Sequence, residues 1–193
     1  IFNKEYVQLD SFEDYSRLDL YKSYVGYFQN KCFILTQLDA LKSHFKAKLN
    51  REFYTNIINE IKKANSIVFH IRGGDYLKED FYSLKSSYYL SALAAVSENR
   101  GDCKVFVFSS DFDFVRHILV DTEYTAIQLP NNRDYEELLM MSEAANLVIA
   151  NSTFSLWSAY LSSGAIYAPS KWIYKKVDPQ TSLYLDHWHV IPA

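Results

Sequence analysis

The residues best suited to chemistry lie in the segment SIVFHIRGGDYLKED, residues 66–80. Its apolar run of β-branched and aromatic residues predicts a buried strand, and the polar motif HIRGGD follows that strand. The guanidinium of Arg72 carries a permanent charge and a fork of donors that matches a phosphate group. Gly73 and Gly74 would let a ligand approach the backbone. Arg72 is therefore either a phosphate clamp or an arginine paired with a nearby aspartate in a surface turn.

His70 and Asp75 flank Arg72 in the same motif. His70 ends the predicted strand two residues before Arg72, so both side chains point to the same side of the strand. A histidine there is more often a satisfied core residue than a functional one, and the side shared with Arg72 strengthens the case for a function. Asp75 is either a base or a carboxylate that orients Arg72.

Ser109 ends a second predicted strand, residues 104–109, and Asp111 follows it. Asp111 either caps the next helix or forms, with Asp113, a D-x-D pair like the metal motif of many sugar-nucleotide transferases. Capping is favoured, because two carboxylates make a poor Mg²⁺ site unless substrate phosphates complete it. We therefore expect no metal.

The triplet Asn151-Ser152-Thr153 lies between a predicted strand and a predicted helix. It matches a glycosylation sequon, which we discount at a junction between two buried elements. The N–H groups and hydroxyls of a helix start can bind an anion. Plain helix capping would use the same residues.

Strands and helices alternate from residue 50 onward. Helices are predicted at 53–64, 86–98, 111–119, 134–145 and 153–162, and strands at 67–69, 104–109, 126–129, 147–150 and 165–168. In the fourth helix, Asp134 is the predicted N-cap and Glu137 completes a capping box. This alternation predicts an α/β fold, a Rossmann-like parallel sheet with helices on both faces. Ligands of such folds bind outside the carboxyl ends of the strands, where the three polar clusters are expected to converge.

The remaining features concern how the chain divides into segments and which classes of protein it does not match. Residues 1–50 are predicted to be a linker and a helical segment, with a helix at 34–49, and residues 51–193 to be the Rossmann-like domain. The chain begins at Ile1 within a charged, aromatic stretch, so we expect a piece of a longer protein. A net charge of -3 argues against a nucleic-acid binder. No apolar stretch approaches the roughly 18 residues of a membrane span.

Several segments together resemble the bacterial α-1,2-fucosyltransferases of glycosyltransferase family 11. They are YVGYFQN (24–30), HIRGGDY (70–76), FVFSSD (106–111), ELLMMSEAANLVIANSTFSLWSAYL (137–161), APSKWIY (168–174) and LDHWHVI (185–191). The resemblance covers the chain from about residue 20 onward. It implies the C-terminal lobe of a two-lobed, GT-B-like enzyme that moves L-fucose from GDP-fucose to a galactoside-type hydroxyl of a glycan, with inversion and without metal. It further implies a cytoplasmic enzyme, either free or peripheral at the inner membrane, whose acceptor is a surface polysaccharide or a lipid-linked glycan.

The resemblance also implies roles for residues. Arg72 would stabilise charge on the departing β-phosphate, with Asp75 as the second catalytic candidate, and Glu137 would lie near the guanine. The full set of donor-binding candidates is His70, Arg72, Gly74, Tyr76, Ser109, Asp111, Glu137, Asn151, Ser152, Thr153, Phe154 and Ser155.

Two departures from the family keep other functions open. The family usually has a second arginine where this chain has Gly73, and its N-terminal G-G-L-G-N-Q-type motif is absent. A non-catalytic nucleotide-binding module of the same fold is therefore an alternative. A carbohydrate-binding domain is a third, based only on the 16 tyrosines.

Overall fold

The computed structural model describes residues 6–8, 23–25, 30–46, 48–73, 83–98, 102–129, 133–172 and 179–193. The strands are β1 (Tyr6–Gln8), β2 (Ser23–Val25), β3 (Ser66–His70), β4 (Lys104–Phe108), β5 (Thr125–Ile127), β6 (Asn146–Val148), β7 (Ala165–Pro169) and β8 (His189–Ile191). The helices are α1 (Lys31–Leu35), α2 (Leu38–Lys46), α3 (Thr55–Ile61), α4 (Ser86–Ser97), α5 (Phe112–Ile118), α6 (Asp134–Met141), α7 (Thr153–Leu161) and α8 (Pro179–Ser182). Within these ranges no helix combines the length and the apolar character that a membrane crossing requires.

Six strands form one parallel sheet in the order β5-β4-β3-β6-β7-β8, which confirms the predicted α/β fold. The chain builds β3, β4 and β5 outward in one direction and then crosses back to place β6 on the other side of β3. This is the doubly wound order, and it creates a switch point between β3 and β6. Strands β1 and β2 pair separately, also in parallel.

Alternation along the strands sends side chains to two buried faces. Val68 and Leu147 belong to the core on one side, which is covered by α1, α2, α3, α6 and α7; we call this the α6–α7 face. Ile67 and Phe69 belong to the core on the other side, which is covered by α4 and α5 and which we call the α4–α5 face. Full burial of each such side chain contributes about 1.5–3 kcal/mol, which holds the strand ends in register.

The segment 30–50 packs on the α6–α7 face. Ile34 and Leu38 lie in its core, and Lys42 Nζ donates a hydrogen bond of 3.0 Å to the Ser162 carbonyl oxygen. The single helix predicted at 34–49 is wrong, because a turn at residues 36–37 separates α1 from α2. The domain boundary at residue 50 stays a prediction, and the structure adds that α1 and α2 share the core of the sheet.

The C-terminal strand β8 was not predicted. It has three residues, of which Ile191 alone is buried, so its sequence carries almost no strand signal. Strand β7 also includes Pro169, which the sequence placed after the strand. Both differences lie away from the switch point.

Candidate functional site

The three polar clusters follow three neighbouring strands. β3 lies between β4 and β6, with His70 opposite Phe108 and Phe69 opposite Val148. The segments 70–73, 109–111 and 151–154 therefore leave the same edge of the sheet, around the switch point. The predicted convergence of the strand ends is confirmed, and the roles of the individual residues stay predictions.

His70 is buried at the end of β3. Its imidazole lies on the α6–α7 face, with its ring centroid 5.5 Å from that of Phe154 in α7. In the part of the chain that the structure describes, its buried Nδ1 makes no hydrogen bond. Burial, together with the positive charge of Arg72, lowers the pKa of His70 to about 3. The ring is therefore neutral near pH 7 and keeps one nitrogen for a further partner.

Arg72 and Gly73 continue the chain beyond His70. Arg72 is partly buried and close enough to His70 for its charge to act on the imidazole. A Cβ placed on Gly73 would lie 2.8 Å from Oδ2 of Asp111 and 2.9 Å from Cβ of Phe114. Position 73 thus admits no side chain without movement of α5, and the glycine brings the end of β3 against the start of that helix.

The other residues of the HIRGGDY motif lie outside the described residues. These are Gly74, Asp75 and Tyr76. Their predicted roles, including that of Asp75 as a base or an orienting carboxylate, stay predictions.

Asp111 caps α5, as the sequence predicted. Its Oδ1 accepts a hydrogen bond of 2.9 Å from the Phe114 N–H, and Ser109 Oγ accepts one of 3.0 Å from the Asp111 N–H. Asp113 is exposed and forms an ion pair with Arg116. Within the described ranges, no group of three or more His, Cys, Asp or Glu side chains is suited to hold a metal ion.

Some polar residues at the start of α7 are buried and hydrogen-bonded within the fold, and one is exposed. Ser152 caps the helix, with Oγ accepting a hydrogen bond of 3.3 Å from the Phe154 N–H, and Asn151 is buried beside it. Ser155 is fully buried and donates a hydrogen bond of 3.0 Å to the Ala150 carbonyl oxygen. Thr153 is exposed, in contrast to the buried Ser152 and Ser155.

Glu137 lies in the first turns of α6, whose amino end is at the same edge of the sheet. Its Oε1 accepts a hydrogen bond of 2.9 Å from the Leu129 N–H. Partial burial raises the pKa of Glu137, and the charge of Asp134 adds to this, although the bond from Leu129 opposes it. The predicted capping box is wrong, because α6 begins at Asp134 with Arg133 as its N-cap residue, and the Glu137 carboxylate reaches back to Leu129 instead.

A buried group beside Glu137 was missed by the sequence analysis. Glu136 accepts hydrogen bonds of 2.8 Å from the Tyr54 hydroxyl and 2.9 Å from Nη1 of Arg133. The Arg133–Glu136 spacing of three residues is a recognisable helical pair. Tyr54 is 82 positions from Glu136, so no local pattern could have indicated it.

Comparison with known proteins adds the following similarities. The model of glycosyl transferase family 11 matches residues 1–191. The chain is 25% identical over 181 residues to the O-antigen biosynthesis glycosyltransferase WbnK of Escherichia coli, an alignment that covers 84% of the chain and 58% of that protein. It is 26% identical over 162 residues to an alpha-1,2-colitosyltransferase of Escherichia coli, covering 77% and 55%. The chain thus spans somewhat more than half the length of these curated relatives. No solved structure matches it.

Proposed function

Because the chain belongs to glycosyl transferase family 11, we propose that it binds GDP-fucose and contributes the donor half of an inverting fucosyltransferase acting on a galactoside-type glycan hydroxyl. The observation that carries this proposal is the pair His70 and Arg72 at the switch point of a doubly wound sheet. A neutral, buried ring nitrogen and a permanent cation there suit a nucleoside diphosphate. A colitosyl donor is the second candidate, favoured by the name of one relative.

The proposed fucosyl transfer mainly requires stabilisation of the charge that develops in the transition state. A glycosyl transition state resembles an oxocarbenium ion, and the departing diphosphate accumulates negative charge as the bond to the sugar breaks. A fixed cation at the leaving oxygen stabilises that charge without a proton transfer. Arg72 takes this role, and direct displacement from the opposite face converts the β-linked donor into an α-linked product.

His70 and the donors at the start of α7 are neutral, so the Arg72 guanidinium would be the charged group that meets the diphosphate. His70 stays neutral beside it, because a buried second cation would be costly. The N–H groups at the start of α7 and the exposed Thr153 hydroxyl provide neutral donors for the phosphate oxygens. Gly73 holds the Arg72 segment against Asp111 and Phe114, which fixes the approach of the backbone.

Transfer itself requires the rest of the cleft. An acceptor must be held in near-attack geometry, and this chain covers 55–58% of its curated relatives. We therefore expect the chain alone to bind the donor with little or no transfer. The acceptor glycan, the catalytic base and a cytoplasmic position, either free or peripheral at the inner membrane, belong to the proposal for the complete protein.

Calorimetry distinguishes this proposal from its alternatives. The chain is titrated with GDP, GDP-fucose, UDP and free L-fucose, each in the presence of EDTA. Binding of GDP and GDP-fucose, with weaker binding of UDP and no binding of fucose, is the expected result. Binding of free sugar alone would instead identify a carbohydrate-binding domain. Transfer by the complete protein then separates an enzyme from a non-catalytic nucleotide-binding module.

A further inference from the structure

Arg133, Glu136 and Tyr54 form a polar group whose guanidinium remains half exposed. The Glu136 side chain is 3% exposed, whereas that of Arg133 is 47% exposed. Burial acts to raise the pKa of Glu136, but the hydrogen bonds from Arg133 and Tyr54 lower it below its ordinary value. The carboxylate is therefore ionised near pH 7 and holds one edge of the guanidinium.

This arrangement is an inefficient way to stabilise a fold. Removing a carboxylate from water costs several kcal/mol, and apolar residues of the same volume often replace a buried ion pair without loss of stability. Its clear structural effect is to orient Arg133. Nη1 is committed to Glu136 and lies 3.5 Å from the Tyr54 hydroxyl. Within the described part of the chain, Nη1 is the guanidinium nitrogen that has hydrogen-bond partners, and the side chain is 47% exposed.

The group lies at the same edge of the sheet as His70 and Arg72. Helices α6 and α7 pack against each other, and both begin at the edge where the strands end. The first turns of α6 carry Arg133 and also Glu137, whose carboxylate is fixed by the Leu129 N–H. A donor and an acceptor of fixed orientation therefore stand one helix away from the proposed phosphate position at α7.

We infer that Arg133 reads the base of the bound nucleotide, with the N–H donors of Nε and Nη2 directed to O6 and N7 of guanine, next to Glu137, which the resemblance to the family already places near that base. The inference rests on the proposed function. A guanidinium matches the O6/N7 edge of guanine in a bidentate manner, which no other common base offers. Adenine would present an amino group to the guanidinium, and uracil would leave one of the two partners unpaired.

The test compares GDP with 7-deaza-GDP, which lacks only the N7 acceptor, on the wild-type chain and on Arg133→Lys. Lysine keeps a positive charge next to Glu136 but loses the planar fork. The wild-type chain should bind 7-deaza-GDP about tenfold more weakly than GDP. Arg133→Lys should bind GDP about tenfold more weakly than wild type and should no longer distinguish the two ligands.

Arg51 provides a matched control. It is 45% exposed and is bound to Glu143, whose side chain is 5% exposed, so it matches Arg133 in exposure and in having a buried carboxylate partner. Arg51→Lys should keep the full preference for GDP over 7-deaza-GDP.

Three outcomes separate the possibilities. Equal affinity of the wild-type chain for GDP and 7-deaza-GDP overturns the inference, whatever the stability of the variant. Equal weakening of both ligands by Arg133→Lys, with a lower melting temperature, also overturns it, because Arg133 would then act only through the fold. Failure of the wild-type chain to bind GDP at all removes the proposed function as well.

Discussion

The edge where the strands of the sheet begin, here called the beginning edge, differs from the ending edge, where they end. At the beginning edge, Asn146 donates hydrogen bonds of 3.0 and 2.9 Å to the carbonyl oxygens of Ala64 and Ser66. At the ending edge, Nδ1 of His70 has no hydrogen-bond partner among the described residues. Both side chains are buried next to the same pair of strands, β3 and β6. An unpaired buried polar atom costs about 1–3 kcal/mol, so a fold retains it when something else requires it. This difference is what the proposed donor site at the ending edge predicts.

The two buried carboxylates at the ends of α6 repeat this contrast. Glu143, at the beginning edge, is bound by two cations, with Nη1 of Arg51 at 3.1 Å and Nζ of Lys62 at 2.8 Å. Glu136, at the ending edge, has one cation and a phenol. The first carboxylate thus has two cationic partners, whereas the second has one, whose Nη1 is the nitrogen bonded among the described residues.

The largest expected effect is at the beginning edge, where Gly164→Ala should disrupt the fold. The added Cβ would lie 2.1 Å from the Ala144 carbonyl oxygen and 2.7 Å from that of Ala145. Both atoms are backbone and cannot turn away, so the loop into β7 must move. We expect a loss of about 4 kcal/mol or more in the free energy of unfolding, measured by urea denaturation. A loss below about 1 kcal/mol would mean that this edge is not rigidly packed.

At the ending edge, Arg72→Ala should spare the fold and remove function. In the complete enzyme, the transfer rate should fall about 100- to 1000-fold, because one preorganised charge on the leaving group is lost. The melting temperature should change little, since a partly buried strand-end arginine contributes little to the core. Arg72→Lys should restore little activity, because a point charge cannot reproduce a bidentate grip on phosphate.

The exposed Arg116 supplies the control for this substitution. Arg116→Ala should leave transfer unchanged, since that side chain is 63% exposed and its ion pair among the described residues is with Asp113 of the same helix. If Arg72→Ala kept its turnover and lowered the melting temperature instead, Arg72 would be a structural ion-pair residue, and the functional reading of the ending edge would be lost.

Most strands of the sheet could be predicted from the sequence. β3, β4 and β7 were located to within one or two residues, because each is a short apolar run bounded by polar residues. The helical spacing at 34–49 was real but did not reveal the break, because Leu35 and Phe45 fit the apolar pattern and yet are exposed. Periodicity identifies an apolar stripe but not the surface that covers it.

The site was predictable where its contacts are local. Asp111 was recognised as a cap because it stands between a predicted strand and a predicted helix, and its carboxylate does accept a hydrogen bond from the Phe114 N–H, three residues on. The contact of Gly73 with Phe114 depends on the parallel pairing of β3 and β4, and the Tyr54–Glu136 bond joins distant segments. Such contacts follow from the packing of helices on the sheet and leave no local pattern in the sequence.

A smaller effect should appear in the pH dependence of stability. The pKa of His70 is about 3 in the folded chain, against about 6.5 for an unfolded histidine. Between these values the unfolded state binds a proton that the folded state rejects, so the stability of the folded state falls as the pH is lowered from 7 towards 3. From pH 7 to pH 5 the wild-type chain should lose about 2 kcal/mol more than His70→Gln.

Urea denaturation at pH 7, 6 and 5 measures this difference, and titration of all other groups cancels between the two proteins. Above pH 7 the His70 contribution should no longer change with pH. Parallel curves for the two proteins would show that the imidazole accepts a proton in the folded chain, and a second positive charge would then lie beside Arg72.

The smallest effect is expected for Asp113→Ala, which tests whether the ending edge uses a metal in place of its fixed cations. The Asp113 side chain is 83% exposed and its partner Arg116 is 63% exposed, so the pair should contribute about 0.5 kcal/mol or less to stability. Asp111→Asn is a companion variant, since asparagine caps a helix about as well as aspartate does. Affinity for GDP should be the same for the wild-type chain and both variants, in EDTA and in Mg²⁺.

If EDTA abolished GDP binding to the wild-type chain, Mg²⁺ restored it and either variant prevented the rescue, then Asp111 and Asp113 would form a metal site. Arg72 would in that case share the diphosphate with a cation, and its substitution should cost correspondingly less.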